Sequence, residues 1–264
     1  MKMFANACAT ALLLVSLVEG AEVRWRDVML RNYEYPFEVR HITVENRRKR
    51  LTMAYMDVTP DNHNGTNVLL LHGKNFNGAY WETTARALLK EGYRVIMPDQ
   101  IGFGKSSKPH HFQYTFHALA TNTRALLDSL GIEDVVVTGH SMGGMLATRF
   151  ALMYPDVAAK LVLVNPIGLE DWKLKVPYKP VQWWYEKELT KTAEDIRKYQ
   201  LESYYDGKWK GEYDEWVYLL AGWTLNSDYG RIAWNAALTY DMIFTQPVVY
   251  EFPEISCPTL LIIG

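Results

Sequence analysis

Residues 135–153 constrain the fold more than any other stretch of this chain. Three valines, Val135 to Val137, form a short apolar run, and Met142 to Met153 then carries an apolar stripe at helical spacing. Between them stands Gly139-His140-Ser141-Met142-Gly143. A serine between a strand and a helix, with glycine two residues before and two after, predicts a tight strand-to-helix corner that exposes the hydroxyl. A serine hydroxyl is a weak nucleophile at neutral pH and needs a base within reach and donors for a developing oxyanion. Ser141 is therefore the candidate nucleophile. Gly139, His140 and Gly143 are its corner, and the Met142 N–H, at the positive end of the helix, is the first oxyanion donor.

The rest of the chain fits that corner into a repeating pattern. Residues 39–46 and 51–58 read as an antiparallel hairpin around the basic turn Arg47-Arg48-Lys49-Arg50, which is expected to be solvated. Short apolar runs at 67–71, 93–97, 135–138, 161–164 and 259–263 read as buried strands. Helical spacing fills the intervals, with Gly92, Gly131 and Tyr154-Pro155 as stops. Short strands alternating with helices predict an α/β fold with a mostly parallel, doubly wound sheet covered on both faces. From about residue 169 to 246 the rhythm becomes wholly helical, and residues 170–245 hold seven of the nine tryptophans. The expected organisation is a core over 21–168, a helical cap over 169–246 and a return to the core over 247–264. The cap aromatics Trp172, Trp183, Trp184, Tyr185, Trp209, Trp216, Trp223 and Trp234 are expected mostly to pack cap onto core, with some lining an apolar pocket.

The loop after the first parallel strand, His72-Gly73-Lys74-Asn75, is where a second oxyanion donor is expected. The Lys74 N–H is the candidate, with Asn75 beside it, and His72 and Gly73 support the loop. Leu70-Leu71-His72-Gly73, Pro98-Asp99-Gln100-Ile101-Gly102-Phe103-Gly104-Lys105-Ser106, Gly139-His140-Ser141-Met142-Gly143-Gly144 and Pro258-Thr259-Leu260-Leu261-Ile262-Ile263-Gly264 occur in this order. In these pieces the chain resembles the α/β-hydrolases of the esterase, epoxide-hydrolase and C–C-hydrolase group. The resemblance implies that Asp99 is a structural carboxylate and that His140 points away from the hydroxyl. Serine at the corner, where epoxide hydrolases and dehalogenases of this fold carry aspartate, argues for acyl transfer. The expected activity is hydrolysis of an ester or related acyl bond in a small, uncharged, fairly apolar molecule. C–C bond or proline-iminopeptidase-like hydrolysis is the alternative, and a non-catalytic binding protein of the same fold is the third. No metal or organic cofactor is implied.

The resemblance also implies a nucleophile–acid–histidine order, yet all seven histidines lie at or before residue 140. Two explanations stay open: a chain cut short, which is the expectation, and a protein that does without the usual base. On the first, the last strand and covering helix of the fold are missing and these residues alone hydrolyse little. Glu170 and Asp171 could replace the acid but are expected to be solvated, and His110 and His111 are expected on the surface. At the N-terminus, Lys2 and the apolar run Ala7 to Val18 read as a signal peptide over residues 1–20, cut before Ala21. That predicts a secreted or periplasmic protein with no membrane segment after cleavage. A net charge of −2 and the lack of a long basic run argue against nucleic acid as a partner. Of two cysteines only Cys257 lies outside the signal peptide, and it is expected to be a buried, inert thiol.

Overall fold

The structure, a computed structural model, describes residues 23–46 and 49–264. The expected signal peptide, and Arg47 and Arg48 of the basic turn, lie outside the described residues. Seven strands form one sheet among those described: β1 (Val39–Asn46), β2 (Lys49–Val58), β3 (Asn67–Leu71), β4 (Arg94–Pro98), β5 (Val135–His140), β6 (Ala158–Val164) and β7 (Thr259–Ile262). Their order is β1-β2-β4-β3-β5-β6-β7, with β1 and β2 antiparallel and the other five mutually parallel.

The period of two in β3 divides the core. Leu69 and Leu71 face one side, where they join Leu126 and Leu127 of α2 (Phe116–Ser129) and Leu146 and Phe150 of α3 (Met142–Met153). Val68 and Leu70 face the other, against Trp81 and Ala85 of the α1 region (Glu82–Lys90). Each fully buried leucine contributes about 1.5–3 kcal/mol, so a one-residue slip of β3 would forfeit both cores at once. This double burial is why the strands read as unbroken apolar runs rather than alternating ones. It brings the carboxyl ends of β3 and β5 side by side, with Leu71 opposite Gly139.

Several boundaries shift from the sequence expectation. Lys49 and Arg50 belong to β2 and not to the turn. Exposed basic residues suit a strand that pairs only with the edge strand β1 at that end. β6 begins at Ala158, three residues early. Trp81 ends a short 3-10 turn, capped by Asn77, which precedes α1. Cys257 is half-buried, not buried, and burial raises its pKa, which keeps the thiol protonated.

Between β6 and β7 the chain forms four α-helices: α4 (Val181–Leu189), α5 (Ala193–Tyr204), α6 (Asp214–Thr224) and α7 (Tyr229–Thr245). α4 packs on α7, and α5 on α6. The first described residues, which the sequence had grouped with the core, fasten onto these helices. Trp223 Nε1 donates to Asp27 O at 3.0 Å and Arg26 N to Gly222 O at 2.9 Å. Leu30 is fully buried with Leu219, Trp223 and Ile232.

Candidate active site

β5 ends at His140 and α3 starts at Met142, so a single residue makes the corner. Ser141 holds φ 56° and ψ −121°, a conformation that strains any residue with a Cβ. Such strain costs on the order of 1–3 kcal/mol and persists only where the surroundings impose it. Here the Ser141 carbonyl accepts from Gly144 N at 2.9 Å and Ile167 N at 3.2 Å, and its N–H donates to Val164 O at 3.3 Å. The side chain makes no capping bond to the helix it precedes. Its hydroxyl is thus not spent on the backbone.

The flanking glycines have a steric cause. A Cβ on Gly139 would overlap the Gly143 carbonyl, and one on Gly143 would overlap the Leu71 carbonyl of β3. The corner is wedged against the neighbouring strand with no room for a methyl group. Gly73 is nearly as close, since a Cβ there would stand 3.1 Å from Ser141 Cβ and 3.2 Å from His140 Nδ1. The loop expected to supply the second oxyanion donor therefore lies directly over the nucleophile.

His72 braces that loop. Its Nε2 accepts from Gln100 N at 3.0 Å, which puts the proton on Nδ1, and Nδ1 donates to Gly73 O at 2.9 Å. Both ring nitrogens are used and burial lowers its pKa, so it is neutral and has no lone pair for Ser141. Asp99 holds the adjacent loops together. Its carboxylate accepts from Gly78 N at 2.7 Å, Lys105 N at 2.6 Å and Tyr35 Oη at 2.7 Å. Lys74 and Asn75 continue the loop as a turn beneath the cap. Met142 is the first residue of α3, so its N–H has no partner within the helix.

His140 turns into an aromatic cluster. Its ring stacks on Tyr80 at 5.6 Å and tilts against Phe76 at 5.8 Å and Tyr204 at 5.9 Å. Trp216 of α6 closes the cluster over Tyr80 at 5.1 Å. Burial pushes the His140 pKa down to about 4, with His72 adding a smaller push, and Nδ1 has no hydrogen-bond partner among the described residues. The folded protein thus refuses a proton that the unfolded chain takes up below about pH 6.5. Stability is whole above that pH and falls as the pH drops toward 4. At 1.36 kcal/mol per pKa unit the loss is about 2–3 kcal/mol by pH 4.5. His140→Phe keeps the stack and removes the proton site. Urea unfolding at pH 7.5 and pH 4.5 is expected to show the acid loss smaller by that amount in the variant. An identical loss in both proteins would refute the assignment.

Tyr204, at the end of α5, escaped the sequence analysis. Asn75 Nδ2 donates to its hydroxyl at 3.1 Å, and Ser141 and Tyr199 are its further side-chain partners. Burial raises its pKa and keeps the phenol protonated. No periodicity marks this residue, because it meets Ser141 only through the way α5 lies on the core.

The remaining candidates lie elsewhere. His110 and His111 are exposed, and Glu170 is exposed. Asp171, expected to be solvated, is buried and held by Lys173 N at 3.0 Å and Tyr250 Oη at 2.9 Å. No cluster of three or more metal-ligating side chains occurs among the described residues. No helix among them is long and apolar enough to cross a membrane.

Comparison with known proteins adds the following. Residues 66–210 match the family model described as the alpha/beta hydrolase fold. The chain is 52% identical to a probable hydrolytic enzyme of Pseudomonas aeruginosa, with a TM-score of 0.89 over 90% of this chain and 77% of that one. It is 38% identical over 134 residues to Lipase 1 of Psychrobacter immobilis, covering 49% of this chain and 41% of the lipase. Over 108 residues it is 38% identical to a 2-hydroxy-6-oxononadienedioate/2-hydroxy-6-oxononatrienedioate hydrolase of Comamonas testosteroni, covering 40% of this chain and 38% of that one. The chain thus spans less than half the length of these curated relatives.

Proposed function

The chain belongs to the α/β-hydrolase fold family, and on that premise we propose that it is a serine hydrolase that cleaves an ester or related acyl bond of a small, largely apolar substrate. The observation that carries this is the strained Ser141, whose hydroxyl caps nothing and whose Cβ lies against Gly73 of the His72–Asn75 loop. Ser141 Oγ attacks the acyl carbon. The oxyanion is taken by the backbone N–H groups of Met142 and Lys74, the Ser141 proton passes to the departing oxygen so that the alcohol leaves as the C–O bond breaks, and water then releases the acid and restores the Ser141 hydroxyl. Similarity to a lipase supports the ester reading, and the same 38% identity to a C–C hydrolase supports C–C cleavage as the second reading.

Neither His72 nor His140 serves as the base, for the reasons of hydrogen bonding and burial given above. The other five histidines lie away from the corner. We therefore expect these 264 residues alone to turn over esters slowly, since loss of a base typically costs several orders of magnitude. A panel of p-nitrophenyl esters tests the ester reading on the protein as its organism makes it. Turnover of the esters is expected. Turnover of vinylogous diketones with none of any ester would reject the reading.

Tyr204 shares a hydrogen bond with Ser141. Its replacement by phenylalanine is expected to slow acylation about 3- to 10-fold, the effect of roughly 1 kcal/mol. An unchanged acylation rate in a folded Tyr204→Phe variant would remove it from the site. Export is also part of the proposal. N-terminal sequencing of protein recovered outside the cytoplasm is expected to begin at Ala21.

A further inference from the structure

Asn75 has a second neighbourhood. It borders a cavity of about 60 Å³ between core and cap. At roughly 10–15 Å³ per water-sized volume, this holds a carboxylate with a few carbons attached. Part of the wall is apolar, from Phe103, Trp223 and Ile232. The rest is charged, from Lys74, Glu188 and Lys191.

The charges do not balance. The Lys74 and Glu188 side chains are 8% and 7% exposed and 3.7 Å apart. Glu188 Oε1 is the acceptor for Lys191 Nζ at 2.7 Å. One carboxylate thus serves two ammonium groups, and Lys191 holds the better contact. Lys74 Nζ lies 3.6 Å from the centroid of Tyr240, a favourable cation–π contact that satisfies no N–H. Glu188 is the acceptor that Lys74 shares with Lys191, and the longer contact leaves Lys74 the less well satisfied of the two ammonium groups. Tyr229 and Tyr240, the nearby phenols, are held protonated by burial and bring no negative charge. Burial lowers the Lys74 pKa and Glu188 opposes that push, and an anion brought beside the ammonium favours its charge and gains charge-assisted hydrogen bonds in a poorly screened setting.

We propose that this cavity is an anion subsite that takes the carboxylate at the far end of an otherwise apolar acyl chain, so that the substrate is an ester of an ω-carboxy acid. This rests on the reading of Ser141 as the acylated residue. It replaces a wholly uncharged substrate with one that carries a single negative charge. Lys74 then has two separate tasks, its backbone N–H for the oxyanion and its ammonium for the distal carboxylate.

Hexanoate and hexanamide, matched in length and differing in charge, are the probes. Titrated calorimetrically into the protein at pH 7.5, hexanoate is expected to bind at least tenfold more tightly than hexanamide. Lys74→Met should abolish the preference. Glu188→Gln, which removes the competing carboxylate, should increase it. Ser141→Ala should leave it unchanged. Equal binding of the two probes by the parent protein would overturn the subsite, and so would a Glu188→Gln variant that binds hexanoate more weakly. Should Lys74→Met not fold, Lys191→Met and Glu188→Gln, expected to shift the preference in opposite directions, carry the test. The hydrolase reading fails separately. Hexanoate discrimination without phosphonylation of Ser141 upholds the subsite and removes the hydrolase, whereas phosphonylation without discrimination removes the subsite alone.

Discussion

Gly143→Ala is expected to destabilise the fold by more than about 3 kcal/mol, a value in the range of the severest single substitutions. The added Cβ would overlap the Leu71 carbonyl oxygen. That oxygen belongs to β3, which is paired on both edges and buried on both faces. Neither partner can give way, since α3 is pinned to β5 by the corner itself. Gly131→Ala is the control. Gly131 has φ +65° and nothing within 4 Å of a new Cβ, so only the backbone preference is lost, about 1–2 kcal/mol. Urea denaturation of the two variants should separate them clearly. Similar losses for both would show that the corner is not wedged as described.

In the protein as its organism makes it, Ser141→Ala is expected to lower acyl transfer by at least about 10⁴-fold, as removal of a nucleophile does where the other groups act through it. Its stability should hardly change, because alanine inherits the same strained φ of 56°. Ser141→Gly should differ. Glycine adopts that conformation freely, so this variant is expected to gain about 1 kcal/mol of stability while losing the activity to the same extent. A strained residue whose replacement stabilises the fold is the signature of a conformation kept for chemistry. If Ser141→Gly were less stable than the parent, the strain would not be real.

The contrast between Ser141 and Tyr204 shows what could be read without coordinates. The corner is local: a β-branched run, a serine between two glycines and a helical stripe lie within 19 consecutive residues, Val135 to Met153. The parallel sheet was legible for a related reason, since residues such as Leu69 and Leu70 must both be apolar when opposite faces are covered. The cap offers no such constraint. Its aromatics are abundant, and composition says nothing about which of them lean on the core. Trp216, one of the cap aromatics expected to lean on the core, closes over Tyr80, whereas Tyr204, which no motif marks, meets Ser141. Lys74 was chosen for its backbone, and nothing in its neighbours announced that its ammonium would be buried against Glu188, 114 residues later. Asp171 was expected in solvent because its later partner, Tyr250, lies beyond the whole cap.

The most direct measurement is active-site labelling with a fluorophosphonate, followed by peptide mass spectrometry on the protein as its organism makes it. One equivalent on the peptide that carries Gly139 to Gly144, lost in Ser141→Ala and regained by no other serine, is the expected result. A folded protein that takes no label, or takes it equally in Ser141→Ala, would contradict the assignment of Ser141 as the nucleophile.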